Sequence, residues 1–180
     1  MTELGLLGPA NTYHDITRKR YLPHLSYRYF FNFNDIFEAL NNGTIGKALI
    51  AVKNSSSGLV NDNLERISQG YSHLETFELP INLCLGSAFP NTVASIKKIF
   101  SHHMAIKETQ HYFSKYHHIT FIASASTAGA VDELLNNKEK HAAVISSKEA
   151  IEANNLLLLA ENIEDEQNNA TTFYLISRKL

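Results

Sequence analysis

The chain predicts an α/β fold with mainly parallel sheets, and three observations lead there. Short apolar runs of strand length recur along it, segments with helical periodicity lie between several of them, and no linker or low-complexity tract interrupts the alternation. The first strand is expected at Leu4 to Leu7 and the second at Tyr27 to Phe31. A helix after Asn34 would turn Ile36, Phe37 and Leu40 inward, and a strand at Ala48 to Val52 follows. Ala105, Thr109, Tyr112, Phe113 and Tyr116 recur at helical offsets behind Ser101, which is read as their N-cap. Next come a strand at Ile119 to Ala123 and a helix after Ser126-Thr127 carrying Ala128, Val131, Leu134 and Leu135 on one side. The series ends with a strand at Ala142 to Ile145, a helix after Ser147 with Ala150 and Ile151 inward, and strands at Leu156 to Leu159 and Phe173 to Ile176.

Composition bounds what such a fold can do. The 180 residues, 44% of them hydrophobic, suffice for one compact unit or two small lobes. Sixteen Lys+Arg against eighteen Asp+Glu leave a formal charge of −2 with no basic block, which argues against a nucleic-acid partner. Nothing approaches the roughly 20 apolar residues of a membrane span, and the N-terminus lacks a cationic start, so a cytoplasmic location is expected. The single cysteine, Cys84, has no partner for an internal disulfide and reads as a buried strand thiol.

In alternating α/β folds, ligands bind where strand ends meet helix starts. Four segments rich in hydroxyls and amides fall at such junctions: Gly8-Pro9-Ala10-Asn11-Thr12-Tyr13, Lys53-Asn54-Ser55-Ser56-Ser57-Gly58, Ser101-His102-His103 and Ser126-Thr127-Ala128. Free N–H groups at helix starts, with the helix dipole behind them, favour a small anion. Each segment alone is equally an ordinary cap or turn; the signal is their joint placement.

These residues resemble the catalytic domain of prephenate dehydratases over nearly the whole chain. The first segment is similar to the family's Gly-Pro-x-Gly-Thr-Tyr-Ser, and Val52 to Val60 to its Ile-Glu-Asn-Ser-x-x-Gly-x-Val. Leu79-Pro80-Ile81, Ser101-His102 and Ser126-Thr127-Ala128 match further segments in order. The ending, Asn162-Ile163-Glu164-Asp165 then Asn169-Ala170-Thr171-Thr172-Phe173, resembles Asn-Ile-x-Asp then Asn-x-Thr-Arg-Phe. The resemblance implies two α/β lobes like those of type II periplasmic binding proteins, interleaved within residues 1–180, with the active site in a cleft. It also implies a small-molecule substrate, prephenate or a close relative, no cofactor, no metal, and a homo-oligomer, dimer or larger. The chain stops at Leu180, a few residues past the last motif, so an ACT regulatory domain is not expected unless another chain supplies one.

By the same resemblance Thr171 is the catalytic donor that helps the ring hydroxyl leave, and Thr12, Lys53, Asn54, Ser55, Ser101, His102, Ser126, Thr127, Thr172 and Phe173 contact the substrate. Six positions depart from the motifs. Thr172 stands where the family has arginine, the natural bidentate partner of a carboxylate, and Lys53 where it has glutamate. Asn11 and His14 replace glycine and serine, and Met104 and Glu108 replace glutamines. Lys53 would restore the cation lost at Thr172 if both positions reach one carboxylate. Two alternatives to dehydration are a decarboxylase that leaves the ring hydroxyl in place and a non-catalytic binder of an aromatic acid.

The nine histidines include two adjacent pairs, His102-His103 and His117-His118, but no metal-ligand spacing accompanies them. His102 and His14 are expected to tune anion binding by changing charge near neutral pH. Tyr27, Tyr29, Phe30, Phe31 and Phe33 are read as packing, and the polar stretch from Glu161 to Asn169 as a solvated loop.

Overall fold

The computed structural model describes residues 3–179; Met1, Thr2 and the terminal Leu180 lie outside the described residues. The chain divides into two units. One contains the segment up to Pro80 together with the segment from Asn168 onward, and the other is Ile81–Gln167.

The first unit opens with β1 (Leu4–Leu7), α1 (Tyr13–Tyr21), β2 (Tyr27–Phe30), α2 (Phe33–Asn41) and β3 (Lys47–Asn54). It continues through β4 (Gly58–Leu59), α3 (Asn63–Gly70) and β5 (Tyr71–Pro80), and the later segment returns as β11 (Ala170–Arg178). The sheet order is β2-β1-β3-β11-β5, with β4 paired to β3. Strands β1, β2 and β3 are parallel, whereas β11 runs antiparallel to both β3 and β5. Ile36, Phe37 and Leu40 of α2 are buried against Ala48, Ile50 and Val52 of β3 and Ile176 of β11.

The second unit holds β6 (Cys84–Ser87), a 3₁₀ turn at Val93–Ser95, β7 (Lys98–His102), α4 (His103–Lys107), β8 (Thr120–Ser124), α5 (Thr127–Asn137), β9 (Ala142–Ser146), α6 (Lys148–Ala153) and β10 (Leu157–Ala160). Its order is β10-β6-β9-β7-β8, parallel among β7, β8 and β9 and antiparallel toward β6 and β10. Ala130, Val131 and Leu134 of α5 pack on Phe100, Val144 and Cys84. Cys84 is a free, buried thiol, as expected from its apolar neighbours.

Both sheets are therefore mixed rather than mainly parallel, because one strand in each, β11 in the first unit and β6 in the second, runs antiparallel to both its neighbours. Strands β4, β5 and β7 are also additions to the expected set, and β6 gives the strand reading at Cys84 its bounds. β5 is exposed over His73–Thr76, so its sequence lacks the apolar run that marks a buried strand.

The helix expected through Ala105 to Tyr116 stops at Lys107. In a continuing helix the Tyr112 N–H would donate to the Glu108 carbonyl. Instead Asp165 intercepts both: its own N–H donates to Glu108 O at 2.7 Å, and its carboxylate accepts from His111 N at 3.0 Å and Tyr112 N at 3.3 Å. The acidic stretch is thus not simply solvated, since Glu164 also accepts from Leu83 N at 2.7 Å. The aromatic run divides too. Phe30 and Phe33 pack on the core, while Tyr27 lies 41% exposed beneath the Arg18 guanidinium and Phe31 is 100% exposed. Leu135, expected on the inner side of α5, is an exposed residue.

Candidate functional site

The first unit gathers five of the named residues at the point where β3 meets β11. The register pairs Thr171 with Asn54 and Thr172 with Lys53, then skips Val52 before pairing Phe173 with Ala51. The skip is a bulge: two residues of β3 oppose one of β11, which re-aims the side chains beyond it.

Asn54 is the hub. Its amide nitrogen donates to Asn169 Oδ1 at 2.7 Å and to Thr171 Oγ1 at 3.0 Å. Its amide oxygen accepts from Ser56 N and Ser57 N, both at 2.9 Å, and from the Ser57 hydroxyl at 3.1 Å. The turn closes through Gly58, whose φ of +85° suits a residue without Cβ. Ser55 clips the turn to the entry of β11, accepting from Ala170 N at 2.8 Å and donating to Asn168 O at 3.2 Å. Thr171 is buried, accepts from Asn54, and has no acceptor for its own proton among the described residues. Lys53 is exposed and Thr172 half-buried; neither side chain forms a hydrogen bond or ion pair among the described residues.

Thr12 also lies at the C-terminal end of a parallel strand, but its hydroxyl is committed to the fold. It accepts from Asp15 N at 3.3 Å as the cap of α1 and donates to Leu7 O at 3.0 Å. Phe173 is buried, and its ring meets the His14 ring edge-on at 4.9 Å. His14 is a correction. Burial lowers its pKa to about 3, so near neutral pH it is uncharged and cannot switch there.

The first loop is held by a charged knot that sequence reasoning missed. Asp15 accepts from Asn11 N at 2.9 Å, from Arg18 Nε at 3.0 Å and from Lys19 Nζ at 2.9 Å. Burial alone would raise the Asp15 pKa, but hydrogen bonds from Asn11, Lys19, Tyr29 and Arg18 together bring it below the ordinary value. Asn11 takes the family's glycine position at φ +64°, a left-handed conformation that asparagine tolerates better than most residues. A lone acid in the first turn of a highly charged helix gave little sign of this.

In the second unit Ser101 is inside β7, not a cap; it is buried and donates to Ile145 O at 2.7 Å. The cap of α4 is His102, whose Nδ1 accepts from Met104 N at 3.4 Å. Burial first, and then His103, lowers the His102 pKa, so its charge change shifts to the acid side of the ordinary range. Ser126 caps α5 as expected, accepting from Gly129 N at 2.9 Å. Thr127 opens that helix, its carbonyl accepting from Ser146 at 2.9 Å. Ser124, level with His102 across β7 and β8, donates to Glu133 at 2.9 Å. Among the described residues no group of His, Cys, Asp or Glu is placed to hold a metal ion, and no helix is long and apolar enough to cross a membrane.

Comparison with known proteins supplies the rest. The prephenate dehydratase of Methanocaldococcus jannaschii is 32% identical over 178 residues, which cover 96% of this chain and 63% of that protein. The crystal structure of prephenate dehydratase from Arthrobacter aurescens in complex with L-Phe superposes with a TM-score of 0.85 at 25% identity, over 99% of this chain and 61% of that one. A periplasmic substrate-binding protein of an ABC transporter from Coxiella burnetii shares the fold alone, with a TM-score of 0.53 at 11% identity over 99% of this chain and 84% of that one. The chain spans from about half, 47%, to just under two-thirds, 64%, of the length of the first curated relatives it matches. The family model of prephenate dehydratase matches residues 4–180, through both units and the strand that carries Thr171, and the chain belongs to that family.

Proposed function

We propose that the protein converts prephenate to phenylpyruvate, carbon dioxide and water, as a lyase of the aromatic amino-acid pathway in the cytoplasm. One observation carries this reading: the Asn54 amide donates into the hydroxyl of Thr171 at 3.0 Å. Prephenate holds a ring carboxylate and, opposite it, a ring hydroxyl. When the bond to the carboxylate breaks, its electron pair enters the ring; the C–O bond then breaks and its pair leaves with the oxygen. Aromatisation drives both, so the protein needs to orient the substrate and stabilise the departing oxygen.

Thr171 donates its proton in a hydrogen bond to that oxygen. Donation from Asn54 polarises the hydroxyl and strengthens it as a donor, and Asn169 and the Ser55 clip hold Asn54 in place. A threonine hydroxyl is too weak an acid to give the proton up outright, so the leaving hydroxide is neutralised from solvent. Lys53 serves as the cation for a substrate carboxylate in place of an arginine at Thr172. Their pairing across β3 and β11 supports this, because paired residues sit on one face with Cβ atoms about 5 Å apart. In the second unit, the Thr127 hydroxyl and the amides opening α5 are proposed as an anion-holding group.

A decarboxylase that spares the hydroxyl is not favoured, since Thr171 and its Asn54 donor are both in place. The test is incubation of purified protein with prephenate and mass spectrometry of the products against a protein-free control. Phenylpyruvate is expected. Loss of carbon dioxide alone, or no conversion, would overturn the dehydratase reading. Light scattering of the same sample checks the expected dimer or larger homo-oligomer.

A further inference from the structure

We propose that His14 is a positioning residue for this reaction: acting through the Ala51 N–H, it holds the bulge of β3 in the register that sets Asn54 against Thr171. The inference rests on the dehydratase reading and adds a residue to it.

The need for such a clamp follows from the sheet. β1 pairs with β3 only at Leu4↔Lys47 and Gly5↔Ala48, and β4 pairs with it only from Lys53 onward, so between them β3 has no strand neighbour on that edge. A strand residue sends its N–H and C=O to the same edge. At Ala51 both find side chains instead of a strand: the N–H donates to His14 Nε2 at 3.3 Å, and the carbonyl accepts from Asn63 Nδ2 at 2.9 Å.

Ala51 is also the residue at which the register shifts. It pairs with Phe173, Val52 is skipped, and Thr172 and Thr171 then face Lys53 and Asn54. His14 touches both members of the last regular pair, by hydrogen bond to Ala51 on β3 and by edge-on ring contact with Phe173 on β11, at 4.9 Å and 88°. The ring is thus fastened to both strands immediately before the irregularity, and Thr171 lies two residues beyond Phe173. A further ring, Phe33 at 5.6 Å, fixes the imidazole from another side. The bond needs Nε2 without a proton, and burial keeps the imidazole neutral.

The experiment compares His14→Met with His14→Gln, which match in length and both remove the ring contact. Only glutamine retains an acceptor that can reach Ala51 N–H. Amide exchange at Ala51, read by NMR, and the kcat and KM for prephenate are measured together. For His14→Met, fast exchange at Ala51 and a kcat lower by about 10- to 100-fold are expected with KM within about twofold, the signature of a misplaced catalytic group. His14→Gln is expected to recover slow exchange and most of kcat. If exchange accelerates in His14→Met while kcat stays at the wild-type value, or if the two variants lose activity equally, the inference is overturned and the dehydratase reading stands. If the wild type itself makes no phenylpyruvate, that reading fails and takes the inference with it. Should His14→Met not fold, Phe173→Leu tests the clamp from the other strand, with the same kcat loss and steady KM expected; an unchanged kcat overturns it.

Discussion

Replacing Asn54 with aspartate changes one atom and separates the two tasks of that side chain. The retained oxygen still accepts from Ser56 N, Ser57 N and Ser57 Oγ, so the turn keeps its three bonds. The other end exchanges a donor for an acceptor. There it faces Asn169 Oδ1 at 2.7 Å, an acceptor against an acceptor, and Thr171 Oγ1 at 3.0 Å. The hydrogen bond to Asn169 is lost at about 1 kcal/mol and poorer satisfaction of Asn169 adds about 1 kcal/mol, while the Thr171 contact is reversed rather than lost, for a destabilisation of about 2 kcal/mol. Catalysis suffers separately, because the new carboxylate accepts the Thr171 proton and withdraws it from the leaving hydroxyl. Loss of one preorganised donor corresponds to about 100-fold or more in kcat. Urea denaturation gives the first number and phenylpyruvate formation the second, measured well below the denaturation midpoint. A destabilised variant with wild-type kcat would refute the idea that Asn54 works through Thr171.

Three further outcomes follow from the same geometry. Thr171→Val keeps the volume and removes the hydroxyl, so kcat is expected to fall by about 100- to 1,000-fold with a stability change under about 1.5 kcal/mol, read by product assay and denaturation. Lys53→Met is expected to raise KM about tenfold with kcat little changed, and the double variant Lys53→Met/Thr172→Arg to recover it; an unchanged KM in the single variant removes Lys53 from substrate binding. Asp15 carries the acid dependence. Its folded pKa lies below the unfolded value near 3.8, so its contribution is full above that value and is lost as pH falls through the folded pKa. Asp15→Asn should therefore flatten the fall in melting temperature over that acid window, while costing about 3 kcal/mol at neutral pH by leaving Arg18 and Lys19 without their carboxylate.

How far the sequence alone could go is clearest at particular residues. Ala48 to Val52 and Ala142 to Ile145 read as strands because parallel strands covered on both faces become unbroken apolar runs. Ser126 and Ser147 read as caps because capping is local, its hydrogen bonds spanning three residues. What failed to read was non-local. The end of α4 is decided by Asp165, which lies 54 residues beyond His111. Lys53, Asn54, Ser55, Thr171 and Thr172 were all named, but their assembly depends on a pairing between positions 117 residues apart, and Asn169 was missed as the anchor of Asn54. The polar helix α1 was missed for a different reason: its nine residues keep one hydrophobic contact side too narrow to announce itself, and the buried groups are largely charged or polar.

The place of β11 has a consequence for how the protein is made. It is the last strand in chain order, yet it lies between β3 and β5, which end at Asn54 and Pro80, 116 and 90 residues before Ala170. Ile81–Gln167 can collapse as soon as it has left the ribosome, whereas the first unit waits with two long strand edges unpaired. Thr171 lies at the start of the strand that closes that gap. The proposed catalytic hydroxyl therefore meets Asn54 in the same step that completes the sheet, so a nascent chain without β11 has neither a finished first unit nor the donor.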